Sequence, residues 1–294
     1  MARELKPSKG RPDIKVRKAK ASDRKPLMTF IRGIWGGHDY IPHVWDRWLK
    51  DPSGQMFVAE VEGNPVGMNR VKLVEDGSAW FEGARVHPAY RGKGVATALG
   101  ERSMQYVNGR GARVYRLASR SSNWPAHRQV ARMSFKEVAR VSVYERGSTS
   151  RFGPQAGVRA VRPGEAGPLY RTVKRSRELK KSAGLICASF TGLSLSKEVF
   201  GRRVGRGEVL TSDGAVAIIT KGEEGRNLWK EVCFLSGKAA PATRLVKHVL
   251  GSEPKKKDVI VFLPVGSSLA STLKGLGFKR ATSLIIFQRR ALKG

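Results

Sequence analysis

The sequence predicts an α/β protein built twice over, each half a mixed sheet flanked by helices. Three observations carry this. Residues 13–147 alternate strand-like and helix-like periodicities in the order β-α-α-β-β-β-α-β-α-β. A Gly/Ser/Pro-rich stretch, "GSTSRFGPQAG", then interrupts from residue 147. Beyond it the pattern restarts: "VRAVRPGEAGPLY" at 158 parallels "VRKAKASDRKPLM" at 16, an offset of 142. "LKGLGFKRATSLIIFQRR" likewise parallels "VARMSFKEVARVSVYERG", with Phe278 over Phe135 at an offset of 143. A period of about 140 residues means duplicated domains rather than a solenoid.

The elements follow in order. "DIKVRKA" at 13–19 alternates as a strand, and "DRKPLMTFIRGIW" at 23–35 sets Leu27, Phe30, Ile31 and Ile34 at helical spacing, with Asp23 as its N-cap. Turn-rich "GGHDYIP" leads to a short amphipathic helix, "HVWDRWL", carrying Val44, Trp45, Trp48 and Leu49. Residues 55–74 read as a hairpin about an Glu-Gly-Asn-Pro turn, and "SAWFEGARV" at 78–86 as the strand entering a glycine loop. A helix with Val95, Leu99, Ser103 and Tyr106 on one side follows, then a strand at 112–119, the helix "WPAHRQVARMSF" and a strand at 140–146.

Charge is the strongest compositional signal. The chain holds 56 Lys and Arg against 24 Asp and Glu, a net charge of +32. Residues 1–150 carry 28 basic and 14 acidic groups, and the remainder 28 and 10, so the excess is not a tail effect. Such a field favours salt-sensitive contact with nucleic acid or another acidic partner, unless it is only a solvated surface. The longest apolar runs, such as "VIVFLPV" at 259–265, fall short of the ~20 residues a membrane span needs, so no membrane partner is expected. The basic N-terminus lacks the apolar core of a signal peptide. Cys187 and Cys233 form no CxxC pair, which fits buried thiols in a reducing, cytoplasmic setting.

The chemistry gathers at "RVHPAYRGKGVATAL". Gly92 and Gly94 let backbone N–H groups approach an anion, and the helix that follows adds its positive end. A Walker loop is excluded because no Ser or Thr follows the lysine, and a dinucleotide loop because the GxGxxG spacing is absent. His38 and His43 lack the further ligands a metal requires, so no metal is expected.

With its strand before and helix after, this loop resembles the acetyl-CoA pyrophosphate loop of the GCN5-related N-acetyltransferase (GNAT) superfamily. The family's Arg/Gln-x-x-Gly-x-Gly/Ala is met by Arg91, Gly94 and Ala96. Asn123 and Ala126 match its Asn-x-x-Ala segment, and Ser134-Phe135 a Gly-Phe equivalent. "GGHDYIPHVWDRWLKDP" together with "FEGARVHPAYRGKG" is similar to histidine N-acetyltransferase-like members. The resemblance implies tandem GNAT folds, each a mostly antiparallel sheet with a splayed strand pair. Composition gives a basic disordered tail at 1–12 and a linker at 148–156, which leaves a catalytic domain at 13–147 and a second domain at 157–294.

For the site, the resemblance implies acetyl-CoA as co-substrate. Arg91, Gly92, Lys93, Gly94, Val95 and Ala96 would hold its pyrophosphate, Arg85 and Val86 its pantetheine arm, and Asn123 would assist. Glu82 is the expected base, its basicity raised by Trp80 and Phe81. The family's acidic Tyr is replaced by Val130, leaving Tyr40, His127 or solvent to protonate the thiolate. His38, Asp39 and Trp45 are expected at the acceptor, Asp39 binding an ammonium or imidazolium. In the second repeat Trp229 and Glu231 align with Trp80 and Glu82, but "SGKAAPA" replaces the glycine loop. That domain is therefore expected to keep the fold without the cofactor. Two functions remain: an N-acetyltransferase acting on a small amine or amino acid, and a lysine or N-terminal acetyltransferase, or acetyl-CoA sensor, docked to a nucleoprotein.

Overall fold

The computed structural model describes residues 12–147, 152–224, 227–252 and 258–291. Residues 1–11 of the expected tail and 148–151 of the expected linker thus lie outside the described residues. By its internal contacts the chain divides into two units. One comprises residues up to Arg116, Arg128–Phe135 and those from Arg289 onward; the other comprises Leu117–His127 and Lys136–Gln288.

In the first unit, β1 (Lys15–Lys18) leads into α1 (Arg24–Ile31), and a connection over 32–40 leads into α2 (Ile41–Lys50). Then come β2 (Gly54–Val61), β3 (Asn64–Leu73), β4 (Ala79–Val86) and α3 (Val95–Asn108); β5 (Val114–Arg120) and α4 (Trp124–Arg132) each have residues in both units, Leu117–His127 belonging to the second. Asp23 does not cap α1. Its carboxylate instead accepts from the Lys20 N–H at 2.7 Å and pairs with Arg17, closing the turn ahead of the helix. Leu27, Ile31, Ile41, Val44 and Trp45 fill one core beneath Met56 and Met68 of the sheet. The β2–β3 hairpin turns on Glu62-Gly63, both with positive φ, which suits the twist of the flanking strands.

Strand β4 is what aims the glycine loop. It pairs antiparallel with β3, but the register slips between Met68↔Arg85 and Arg70↔Glu82, so Gly83 and Ala84 together face Asn69. The bulge needs a glycine twice over. Gly83 has φ +68°, and a methyl group there would sit 2.6 Å from the Trp48 ring. On its other edge β4 pairs with β5 in parallel only at Ala79↔Tyr115 and Trp80↔Arg116. From Phe81 to Val86 that edge carries no ladder, which is the splay the family resemblance implies.

The second unit continues with β6 (Lys136–Gly147), β7 (Arg159–Ala160), α5 (Ala166–Arg175), α6 (Arg177–Lys181), β8 (Leu185–Ala188), β9 (Thr191–Ser194), α7 (Lys197–Gly205) and β10 (Val209–Ser212). It closes with β11 (Ala215–Glu224), β12 (Asn227–Ser236), α8 (Ala239–Gly251), β13 (Asp258–Pro264), α9 (Leu269–Gly275) and β14 (Lys279–Arg290). Its sheet runs β14-β6-β13-β12-β11-β10-β7. The parallel pair recurs at the equivalent place: β12 and β13 pair only from Lys230↔Val259 to Val232↔Val261. A register slip between Ile218 and Ile219 again accompanies it.

Strand β6, which the repeat alignment assigns to the first domain, lies in this second sheet. It is antiparallel to β13 from Asp258↔Gly147 to Pro264↔Val141, and to β14 on its other side. The compact units therefore differ from the sequence repeats at this strand. Among the described residues no helix is long and apolar enough to cross a membrane.

Candidate active site

The glycine loop follows directly from the end of β4. His87 N–H donates to Val66 O at 2.8 Å, keeping the strand pinned to β3, and Pro88–Tyr90 then form one 3-10 turn. His87 Nδ1 accepts from Ala89 N–H at 3.2 Å, so the side chain caps that turn. Gly92 and Gly94 have φ +76° and +93°, both in the left-handed region. No protein atom lies near the place a Cβ on Gly92 would occupy. The first intrahelical bond of α3 is Ala98 N–H to Gly94 O at 3.0 Å, so the amides of the preceding turn face out of the helix end. Lys93 lies over the Tyr90 ring at 5.5 Å, and Arg91 donates to Val86 O at 3.3 Å. Asn69 ties α3 to β3 through Leu99 O at 3.2 Å and Ser103 Oγ at 2.9 Å. Oriented amides, a helix dipole and two cations converge there, which fits a pyrophosphate.

Burial and the neighbouring Arg91 hold the His87 imidazole below its ordinary value of 6.5. The folded protein thus binds fewer protons than the unfolded chain as pH falls below that value. The stability contributed by keeping this imidazole neutral is full above it and is lost as pH drops through the folded value. Replacing His87 with Asn, which caps without titrating, is expected to reduce the fall in melting temperature between pH 7.5 and pH 5, measured by scanning calorimetry. An unchanged fall contradicts a His87 imidazole held neutral by burial and Arg91.

Beside the loop, a chain of contacts joins the connection ahead of α2 to the bulge of β4. Asp39 is buried and pairs with Arg85 through two bonds, at 2.6 and 3.1 Å, while also accepting from Ile41 N–H at 3.0 Å. The Arg85 guanidinium lies over the Tyr40 ring at 5.4 Å, and Tyr40 meets Trp48 edge-on at 5.8 Å. Arg70, wholly buried, lies over Trp48 at 5.0 Å and pairs with both Asp51 and Glu82; Lys72 reaches Glu82 at 3.5 Å.

Several sequence expectations change in this setting. Asp39 is taken up by Arg85 and by the start of α2, so it is not open to a substrate cation. Trp45 is fully buried in the α1–α2 core, not at a surface where an acceptor could touch it. The Arg85 side chain is a strut to Asp39, leaving only its backbone for a ligand. Glu82, expected to sit desolvated by aromatic neighbours, is instead held by two cations. Burial pushes the Tyr40 phenol up to about 12. His38 is exposed. Asn123, described with the second unit, accepts from Ala126 N–H at 3.4 Å and caps α4. Val130 is buried. As site residues, Asp51, Trp48, Arg70 and Lys72 were not singled out by the sequence. For Arg70 and Lys72 the signal was alternation on β3 opposite Glu82, readable only with the register in hand; Trp48 and Asp51, at the end of α2, offered none.

In the second unit, Glu231 is wholly buried and accepts from Ser189 N–H at 2.6 Å and Trp229 Nε1 at 2.7 Å. Burial raises its carboxyl above the ordinary range. Where β12 and β13 part, Leu185, Ile186 and Cys187 of β8 line a small cavity with Cys233–Leu235 and Phe262–Pro264. Burial raises both thiols, that of Cys187 to about 12, so neither is a nucleophile at neutral pH. Among the described residues no group of three or more His, Cys, Asp or Glu is placed to hold a metal.

Bulged β4, its parted neighbour and the glycine loop define a GNAT fold. Residues 24–135 match the model of the Acetyltransferase (GNAT) family. Histidine N-acetyltransferase of Oreochromis niloticus is 35% identical over 82 residues, 28% of this chain and 24% of that protein. The chain thus spans about a quarter of that relative's length. Among solved structures, a GCN5-related N-acetyltransferase from Sphaerobacter thermophilus superposes with a TM-score of 0.62 at 14% identity, covering 96% of both chains. A tandem GNAT protein from the clavulanic acid biosynthesis pathway superposes at 0.53 and 12% identity, covering 96% of this chain and all of the other. These likenesses support the fold.

Proposed function

We propose that the chain is an acetyl-CoA-dependent N-acetyltransferase whose first unit moves an acetyl group to the primary amine of a small molecule or amino acid. The reaction is direct attack in a ternary complex. The observation that carries this is the left-handed glycine loop at the start of α3, fed by a β4 whose far half lacks a ladder partner. Amides 92–97, with Arg91 and Lys93, hold the pyrophosphate, and the open edge of β4 to Val86 lies alongside the pantetheine arm. Bound acetyl-CoA supplies an activated acyl group on a thiol leaving group.

The remaining steps belong to side chains. Glu82 is the proton acceptor. Arg70, itself locked by Asp51 and Trp48, holds one carboxylate oxygen, while the longer 3.5 Å contact to Lys72 leaves the other exchangeable. A substrate ammonium takes the place of Lys72 there and passes its proton to Glu82, becoming the neutral nucleophile. A thiol's ordinary pKa, roughly 8.5, makes the thiolate a fair leaving group without a dedicated acid. Tyr40, its phenol pushed up to about 12 by burial, stays protonated at neutral pH and walls the pocket beside Arg85.

The second unit lacks a glycine loop, and its own β8 occupies the place where β12 and β13 part. We assign it no cofactor. The likeness to histidine N-acetyltransferase supports an acceptor that is an amino acid or similar small amine. Incubating the full chain with acetyl-CoA and single amino acids, polyamines or basic peptides, and measuring free thiol release, tests this. Release with small amines is expected. Release only with peptides, or none above the no-acceptor rate, contradicts it.

A further inference from the structure

The acetyl-CoA loop needs few cations, yet the net charge is +32 and the second unit shares the excess. Six of its cations stand close together on α5 and α6. Arg171, Lys174 and Arg175 stand at i, i+3 and i+4 on α5; Arg177, Lys180 and Lys181 repeat that spacing on α6. All six are exposed. Among the described residues none of the six makes an ion pair, although other arginines of the unit are paired: Arg159 with Glu165, Arg203 with Glu208 and Arg244 with Asp213. The one acid within 171–181, Glu178, is buried and faces Ser267 at 3.4 Å, so it does not neutralise the stripe.

Like charges at i and i+4 repel one another on a helix; Lys174, Arg175, Lys180 and Lys181 stand in the last turns, where the helix dipole offsets part of that repulsion, and a polyanion would offset the rest. The two helices are joined at Ser176, whose hydroxyl caps α6 by accepting from Leu179 N–H at 3.3 Å, so the triplets are held in fixed order. An anionic membrane suits the surface less well. A membrane-bound helix needs an apolar face free to insert, whereas Val173 and Leu179 are already buried in the unit's core. Single-stranded nucleic acid is disfavoured too, since no aromatic ring is exposed on these helices for a base to stack upon.

We propose that α5 and α6 form a docking surface for the phosphate backbone of double-stranded nucleic acid, read without regard to sequence. Each phosphate neutralised contributes roughly −0.9 to the slope of log K against log salt. Six contacts therefore predict about a thousandfold loss of affinity between ~50 and ~200 mM salt. The test is fluorescence anisotropy of a labelled ~20-base-pair duplex with the full chain. Replacing the six residues with glutamine, a good helix former, should flatten the slope by several units and leave the melting temperature and thiol release unchanged. Removing as many exposed cations elsewhere, Lys25, Lys50 and Arg132 among them, should leave the slope nearly intact. Equal losses in the two variants would mean that only overall charge matters and would overturn the assignment. So would absence of duplex binding at ~50 mM salt. Binding to phosphatidylserine vesicles or polyglutamate as tight as to the duplex would likewise overturn it, in favour of a membrane or an acidic protein.

Discussion

Replacing Gly94 with valine is expected to raise the KM for acetyl-CoA by about a hundredfold or more while the protein stays folded. At φ +93° a β-branched side chain is strained, and relief requires the turn to rotate. Rotation takes the amides of Gly94 and Val95 out of line. A hydrogen bond to a charged group is worth about 1.5–3 kcal/mol, so losing two reaches that factor. Gly94 is only half-buried and Gly92 beside it is exposed, so the strain is absorbed locally. Steady-state kinetics with acetyl-CoA varied at saturating amine measures the effect, and circular dichroism checks the fold. A KM within threefold of wild type would show that the loop does not hold the co-substrate.

The second large effect is expected at Glu82. Glutamine keeps the shape and a hydrogen bond to Arg70 but cannot take a proton. Loss of a positioned base costs typically 100- to 10,000-fold, and kcat at neutral pH should fall within that range. The pH profile carries the stronger signature. Without the base, the amine must arrive already neutral, so kcat/KM of the variant should climb tenfold per pH unit until the amine's own pKa. Wild type should level off earlier. A variant whose rate and profile match wild type would reduce Glu82 to a partner of Arg70.

What the sequence discloses depends on how far apart the cooperating residues lie. The glycine loop is legible because strand end, turn and helix start are contiguous, and each residue's backbone need follows from its neighbours. The duplication is legible for the same reason, as two local patterns in the same order. The surroundings of Glu82 are not. They depend on a register that one bulge at Gly83 shifts, and Arg70 and Lys72 reveal their partner only after that slip. Asp39 looks free until Arg85, 46 positions later, is placed against it. For Trp45 two signals conflict: its helical spacing with Val44 and Trp48 points to the core, its neighbourhood in the chain to the acceptor, and its burial decides for the core. Strand β6 is itself legible at 140–146, but its place in the sheet is not, since its pairing with β13 joins segments more than a hundred residues apart.

Under the proposed function, one unit holds acetyl-CoA and the other does not. Isothermal titration of the full chain with acetyl-CoA tests it most directly. We predict one site per chain, abolished in Gly94→Val. Two sites per chain, or a single site that survives the substitution unweakened, would contradict it.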